Sequence, residues 1–311
     1  MHHIIVNPIA GRGQTLVRVP LLTKLFDQAN LSYEVIHTTA PMDAFNIAKQ
    51  ICKDGKSLGI IGFGGDGTIQ EIVAGMAAAF NFKAISVPLG IFPAGSGNDF
   101  VMTLDGGKNA ALKKYNTKHL KTTTEAFFNN IKQSQTRFVD IIKVNKMTCL
   151  NIGNIGLDAR IVDNAIGLKE RFGRFAYLAA VYKSICQHEN MPLTIEVNGK
   201  VLEGKYTLAA ICNGQYYGGG MKIAPPASLD DGKITLCLIK AMSKLKTMTF
   251  FPSLLFAKHT KLKEVSFISC EKLQIRLNEK TAQTLCLDGN LFPFDGSLDI
   301  EIIPQALNVF M

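Results

Sequence analysis

The first hundred residues keep switching between two hydrophobic periods, and this alternation restricts the fold more than any other feature. His3-Ile4-Ile5-Val6 is a short continuous apolar run; Asn7-Pro8 and Gly11-Arg12-Gly13 follow it, before a helical stretch reaching about Asn30. Tyr33-Glu34-Val35-Ile36 reads as a second strand and Asp43–Lys53 as an amphipathic helix. Leu58–Phe63 is a third strand that runs straight into Gly64-Gly65-Asp66-Gly67-Thr68. Beyond that loop Ile69, Ile72, Val73, Met76, Ala77 and Phe80 recur at the offsets of one helix face. A fourth run, Ala84–Leu89, leads to another glycine-rich loop. Apolar runs without polar alternation suit strands covered on both faces, and strand–loop–helix repetition makes the sheet parallel.

Past about residue 136 the texture changes. Phe138–Val144, Thr194–Val197, Thr207–Cys212, Ile234–Ile239 and Leu273–Leu277 are β-like, and Asn198-Gly199 and Asp231-Gly232 are dipeptides suited to hairpins. Helical stretches interrupt the strands near Lys169–Gln187 and Lys244–His259. The second half therefore reads as an antiparallel β-sandwich domain behind an α/β domain. The boundary is expected at about residue 130, in the polar stretch between Asn116 and Arg137, which is rich in Lys, Thr and Gln. Residues from about Asp299 to Met311 are expected to return to the first domain. That assigns 1–130 plus about 299–311 to the α/β domain and 131–298 to the β domain.

Composition agrees with a two-domain globular chain. Its 311 residues are 47% apolar and 19% charged, which supplies a large core and excludes disorder as the main state. No apolar run reaches the ~18 residues of a membrane-spanning helix; Phe175–Tyr182 and Met248–Ala257 fall short, and Pro252 interrupts the latter. Met1-His2-His3-Ile4 lacks a signal peptide's basic start and apolar stretch, so a cytoplasmic location is expected. The seven scattered cysteines show neither zinc spacing nor a disulfide framework and read as reduced core residues. The six histidines are isolated, without metal or triad spacing. A net charge of +9 favours an anionic partner, whether nucleotide, nucleic acid or acidic membrane.

Three glycine-containing loops follow strands of the first domain, where the carboxyl ends of parallel strands form a crevice. Asn7-Pro8-Ile9-Ala10-Gly11-Arg12-Gly13 has neither the ending of a P-loop nor the spacing of a dinucleotide fingerprint. Its glycines would let backbone N–H groups approach an anion, with Arg12 adding charge, and an ordinary turn between strand and helix fits it equally. In Gly64–Thr68 three glycines surround one acid between a buried strand and a helix start. Asp66 there could hold a magnesium ion or orient an attacking hydroxyl, and Asp66→Asn, nearly isosteric, is expected to leave the fold intact. Thr68 and Glu71 also fit a capping box, in which each side chain satisfies a free N–H at the start of the helix. The third loop, Pro93-Ala94-Gly95-Ser96-Gly97-Asn98-Asp99-Phe100, can line a nucleotide site and is also ordinary turn chemistry.

Taken together, these loops resemble the diacylglycerol kinase catalytic-domain family, in particular its bacterial soluble lipid kinases. The resemblance continues in order through Phe138-Val139-Asp140, Asn151–Asp158, Asn213-Gly214, Gly218-Gly219-Gly220, Ala224–Gly232 and Asp288-Gly289. The block Gly64–Gly67 alone is shared with NAD kinases and phosphofructokinases. The resemblance implies an ATP-dependent kinase acting on a lipid hydroxyl, with ATP held between two domains of an NAD kinase-like and diacylglycerol kinase-like fold. It puts the nucleotide contacts at Asn7, Pro8, Ile9, Ala10 and Gly11, at Gly65, Asp66, Gly67, Thr68, Ile69, Gln70 and Glu71, and at Ser96. Thr38 joins them by its distance before Asp43-Ala44. It also implies a structural Mg2+ held by the Asp231 carboxylate and by backbone oxygens of Ser228 and Lys233; a type I turn at Asp230-Asp231-Gly232 is the plain alternative. Asp140 matches an acid of the active-site network.

One departure bears on activity. Where the family carries Asp-Gly-Glu, with the glutamate as general base, this chain reads Asp288-Gly289-Asn290. An amide has no usable basicity, so Asp288 or Asp140 would have to substitute. The leading function is thus an ATP- and magnesium-dependent kinase of a diacylglycerol-like or related lipid hydroxyl. An NAD kinase-like phosphotransferase and a catalytically weakened nucleotide-binding regulatory protein are the alternatives. The expected partner is a lipid at an anionic membrane surface, met peripherally, with no nucleic acid; a homodimer is compatible with the sequence. The segment Lys244–Lys263, with Met248, Phe250, Phe251, Leu254, Leu255 and Phe256 among lysines, reads first as a buried helix covering the β domain, with an interfacial helix gripping an anionic bilayer as the alternative.

Overall fold

The computed structural model describes residues 1–95, 97–106, 117–157, 159–161, 181–278, 283–294 and 296–310. The chain divides into two compact units, Met1–Ile141 with Leu229–Gly232 and Ile303–Met311, and Ile142–Ser228 with Lys233–Ile302.

The first unit runs β1 (His2–Val6), α1 (Gln14–Gln28), β2 (Tyr33–His37), α2 (Asp43–Asp54), β3 (Gly59–Gly64), α3 (Asp66–Ala79), β4 (Ile85–Pro93), α4 (Asp99–Leu104), α5 (Thr117–Lys132) and the start of β5 (Thr136–Val144). Strands lie side by side as β2-β1-β3-β4, all parallel, with Ile4 opposite both Val35 and Ile61. The chain leaves β1 toward one edge and returns to β3 on the other side of β1, so its direction of winding reverses between β1 and β3. Loops after those two strands open into a crevice at their carboxyl ends, where open α/β sheets bind ligands. Ile4, Val6, Ile61, Phe63 and Phe92 meet Val19, Leu22 and Phe26 of α1 and Phe128 and Ile131 of α5 in one buried cluster. On α3 the expected face is buried at Ile69, Ile72, Val73, Met76 and Ala77, while Phe80 is only half-buried. Gly75 of α3 lies against α2; a Cβ there would run into the Phe45 carbonyl.

The stretch expected to link the domains is α5. Its Lys and Thr content suggested a linker, but Phe128 and Ile131 form an apolar stripe that the first unit buries. The division between units falls after Ile141 rather than at 130, and the chain rejoins the first unit at Ile303. The short turn Leu229–Gly232 belongs to the first unit as well.

The second unit continues with β6 (Met147–Cys149), β7 (Ile152–Gly156), β8 (Met191–Val197), β9 (Lys200–Cys212), the short β10 (Tyr216–Tyr217) and β11 (Met221–Lys222), β12 (Ile234–Lys240), β13 (Val265–Cys270), β14 (Lys272–Leu277), β15 (Gln283–Leu287), β16 (Asn290–Phe294) and β17 (Ser297–Phe310). Long β9 pairs antiparallel with β7, β8 and β12, while β15 joins β7 to β16. Residues 297–301 of β17 pair antiparallel with β14, and Leu307 and Val309, past a left-handed Gln305, pair parallel with β4 in the first unit. Asn198-Gly199 forms the expected two-residue hairpin, both residues at positive φ as that turn requires. Asp231-Gly232 joins no pair of strands; the second such hairpin is Asp288-Gly289, between β15 and β16.

All seven cysteines are free, and only Cys186 is exposed. Among the described residues no helix is long and apolar enough to cross a membrane. Most of the Lys169–Gln187 stretch lies outside the described residues, though 181–187 is helical.

Candidate active site

Three loops of the first unit meet at the carboxyl ends of β1, β3 and β4. Asn7, directly after β1, donates its backbone N–H to the Phe63 carbonyl of β3 (2.9 Å) and its amide Nδ2 to Thr68 Oγ1 (2.9 Å). Its own carbonyl accepts the Thr15 hydroxyl (2.8 Å), which ties the start of α1 to the same loop. Pro8 shares that hydroxyl, Ile9 is 81% exposed, and Ala10 and Gly11 begin a 3-10 turn. Thr38 sits just past β2, buried, with its N–H on the Val6 carbonyl (2.9 Å). Asn7–Gly11, Thr38 and Gly65–Glu71 are therefore brought together at one end of the sheet. Ser96 and the Arg12 side chain lie outside the described residues.

The second and third loops touch backbone to backbone. A Cβ on Gly95 would lie 2.5 Å from the Gly65 Cα, so the close approach requires glycine there. Ala94 N–H reaches the Gly64 carbonyl (2.9 Å), and the Asn98 amide closes the loop on itself, accepting from Gly95 N–H and donating to the Gly95 carbonyl (both 2.9 Å). Asp66 completes the clamp. Its Oδ2 accepts the Asn98 N–H (2.8 Å) and its Oδ1 the Asp99 N–H (2.9 Å), at the start of α4. Burial pushes its carboxyl above the ordinary aspartate value, against the pull of backbone N–H groups from residues 98–100. A residue read as a metal or hydroxyl ligand is thus also the fastener of the third loop, and Asp66→Asn would disturb that loop. Asn98 was the part missed: the composition of the loop signals a turn, but not which acid it leans on.

The capping box at Thr68 and Glu71 does not form. α3 begins at Asp66 with Gly65 as its N-cap, so Thr68 lies inside the first turn and its hydroxyl serves Asn7. Glu71 instead receives N–H groups of Met42 and Ala44 and so satisfies the start of α2; its carboxyl is raised by burial, less what those N–H groups offset. Ile69 and Gln70 are buried.

Two further acids are also engaged by backbone. Asp140 on β5 is fully buried; its Oδ1 accepts the Gln305 N–H and its Oδ2 the Gly232 N–H, both at 2.7 Å. Its carboxyl is raised, mainly by burial and further by the charges of Asp231 and Asp230. Arg137 binds Asp230 (2.6 Å) on the same turn. Asp288, at the tip of the β15–β16 hairpin, accepts three successive N–H groups, from Leu150 (2.6 Å), Asn151 (2.9 Å) and Ile152 (2.8 Å). Neither carboxylate is the open base that a missing glutamate would call for. Asn290 is the first residue of β16, half-buried and paired with Leu287.

Comparison with known proteins identifies both halves of the chain. Residues 2–144 match the diacylglycerol kinase catalytic domain, and residues 152–311 match the YegS C-terminal NAD kinase beta sandwich-like domain. The chain belongs to this two-domain lipid kinase family. It is similar to a diacylglycerol kinase of Bacillus subtilis (strain 168), 28% identical over 96% of this chain and 92% of the relative. It is also similar to a crystal structure of a diacylglycerol kinase from Bacillus anthracis str. Sterne, with a TM-score of 0.72 and 25% identity over 99% of this chain and 96% of that one. The α/β domain followed by a β-sandwich-like domain is the architecture expected above.

Membership in a kinase family makes ATP the implied cofactor, and the three-loop cluster is where this chain's residues could receive it. No group of three or more His, Cys, Asp or Glu among the described residues is arranged to hold a metal ion. The turn at Leu229–Gly232 still suits a hard cation chemically. It brings Asp230, paired with Arg137, and Asp231 near buried Asp140, where their charges add a smaller push to the burial that raises its carboxyl. One carboxylate with backbone carbonyls is an oxygen donor set that magnesium accepts.

Proposed function

We propose that this protein transfers the γ-phosphoryl group of ATP to the hydroxyl of a diacylglycerol-like lipid. The observation that carries the reading is the joining of the β1, β3 and β4 loops through Asn7–Thr68 and Asp66–Asn98 at the winding reversal of a parallel sheet. Phosphoryl transfer asks a protein for positioning and charge stabilisation more than for covalent chemistry. The start of α3 has glycine at its N-cap and at its second residue; the Asp66 N–H turns to its own carboxylate, and the N–H groups of Gly67 and Thr68 together with the helix dipole would face an anion. Asn7–Gly11 and Gly65–Glu71 would line the phosphates, and Thr38 would close the side toward β2. Magnesium, when bound, supplies charge neutralisation, with Asp231 and the backbone oxygens of Ser228 and Lys233 as its holders at the structural turn.

Asn290 would orient the acceptor hydroxyl, since its amide can accept that proton in a hydrogen bond but not take it. With Asp288 and Asp140 both occupied by backbone N–H groups, turnover rests on positioning, and a slow enzyme is expected. The same observation favours a second reading, a nucleotide-binding protein that has lost most catalysis. Radiolabelled ATP offered with diacylglycerol, monoacylglycerol, a sphingoid base, undecaprenol or phosphatidylglycerol separates them. Label on diacylglycerol supports the kinase reading. ATP binding without transfer to any acceptor supports the second, and absence of ATP binding refutes both.

A further inference from the structure

The helix Lys244–Ser253 and the 3-10 turns behind it, Leu254–Phe256 and Lys258–Lys261, have apolar residues on more than one side; among the described residues the second unit covers Phe250 and Leu254 in one cluster and Met248 beside another, and leaves Leu245 and Phe256 exposed. Phe250 and Leu254 are buried with Met242 in a core cluster, and buried His259 sits edge-on to Phe250 and Phe267 with Nε2 2.8 Å from the Ile223 carbonyl. Leu245, Thr249 and Pro252, spaced i, i+4 and i+7, share the opposite face and are exposed. Leu245 is 75% exposed, and Phe256, one turn further on, is 73% exposed. Lysines crowd this outer side. Lys240, Lys244, Lys246, Lys258, Lys261 and Lys263 are all exposed, and no acid occurs from Ala241 to Lys263. Six positive charges in 24 residues compare with a net +9 for the whole chain. Glu264 pairs with Lys246 (2.7 Å) and also lies within the field of Lys263, and Lys258 stands over the Phe256 ring, 5.8 Å from its centre.

We propose that this surface docks the protein on an anionic phospholipid bilayer, with Leu245 and Phe256 entering the boundary between headgroups and acyl chains. Exposed apolar side chains between lysines are what an interfacial helix presents: the rings and branches bury, and the lysines reach the phosphates. A second copy of this chain is the poorer occupant. A symmetric pair would oppose six lysines to six lysines across a shared apolar patch. The surface extends the kinase reading by supplying the place where a lipid acceptor is met. Docking is measured without ATP or turnover, so the two readings fail separately.

The test is sedimentation of the full chain with vesicles of phosphatidylcholine alone or mixed equally with phosphatidylglycerol. The wild type should sediment with the mixed vesicles, less so as salt rises. Lys258→Gln, Lys261→Gln and Lys263→Gln together should weaken binding by roughly 10²-fold, at about fivefold per lysine. Lys53→Gln, Lys56→Gln and Lys83→Gln, the same charge change elsewhere, should do much less. Equal losses in the two triple variants would overturn the local surface in favour of diffuse charge. Vesicle binding unchanged by Leu245→Ser with Phe256→Ser, while that pair turns a dimer into a monomer, would assign the face to a second copy. The chain has no tryptophan, so Phe256→Trp gives a single reporter that does not depend on those variants folding. Its emission should shift to the blue on mixed vesicles only, and an unshifted spectrum would overturn the proposal.

Discussion

Replacing Asp288 by asparagine tests whether this carboxylate is a structural fastener or a chemical group. Oδ1 accepts N–H groups of Asn151 and Ile152 at 2.9 and 2.8 Å, and Oδ2 accepts that of Leu150 at 2.6 Å. An asparagine can keep the first two with its one oxygen. Its NH2 then meets the Leu150 N–H donor to donor. The loss of one charge-assisted bond, with an N–H left unserved, amounts to about 3 kcal/mol. For a unit of this size that lowers the melting temperature by roughly 6–12 °C. Strain does not confuse the result, because asparagine tolerates the left-handed φ of 49° found there. Asp288→Ala should cost more, since all three donors lose their acceptor and the left-handed backbone becomes strained. The assay is thermal unfolding by circular dichroism, with lipid phosphorylation measured per folded molecule. If Asp288→Asn melts with the wild type yet loses turnover, the carboxylate is chemical and the reasoning fails.

Four further outcomes follow from the same contacts. Asp66→Asn should lower stability by about 1–3 kcal/mol and weaken ATP binding together, because an amide serves only one of the Asn98 and Asp99 N–H groups; calorimetric titration with unchanged melting would contradict this. Gly75→Ala should force α2 and α3 apart at the Phe45 carbonyl and cost about 1–3 kcal/mol, read as a shifted urea midpoint. The raised Asp140 carboxyl stabilises the fold most below the ordinary aspartate value of 3.8, a contribution lost as pH rises through the raised native value; urea unfolding of Asp140→Asn across that window should show a flatter pH dependence above 3.8 than the wild type. Asn290→Glu should raise lipid phosphorylation toward the ~10²–10⁴-fold that general-base catalysis supplies, and equal rates for the wild type, Asn290→Glu and Asn290→Ala would remove position 290 from the chemistry.

Periodicity made the α/β half readable because a strand buried on both faces and a helix with one buried face leave different marks. Ile4–Val6, Leu58–Phe63 and the Ile69–Ala77 stripe each emerged in the element their pattern indicates. The loops too were readable as loops, since a glycine such as Gly95 is needed where two backbones touch. What the sequence could not show was long-range partnership. Thr68 and Glu71 have the spacing of a capping box, and spacing is a local property; the Asn7 amide and the α2 N–H groups that claim them arrive from 61 and about 30 residues away. α5 was misread for a related reason. A helix with two buried aromatic and aliphatic turns among Lys and Thr has the composition of a linker until its partner, α1, is in place.

The three acids singled out for chemistry share one arrangement: each bonds backbone N–H groups of a distant segment. Asp66 holds residues 32 and 33 positions away, Asp140 holds Gly232 and Gln305, and Asp288 holds the start of β7. A carboxylate is well suited to this because it accepts at two oxygens and gains from its charge at every bond, where a serine or asparagine offers less. The cost is desolvation, visible in the raised carboxyls of Asp66 and Asp140. On the proposed kinase reading, an acid used in this way would contribute by holding loops that present backbone donors, not by moving protons. It follows that a chain with Asn290 in place of a base can still keep the nucleotide end of the site intact. Loss of acceptor activation and loss of ATP binding should therefore separate: Asn290 substitutions should change the rate at unaltered ATP affinity, whereas substitutions at Asp66 or Asn7 should change the affinity first.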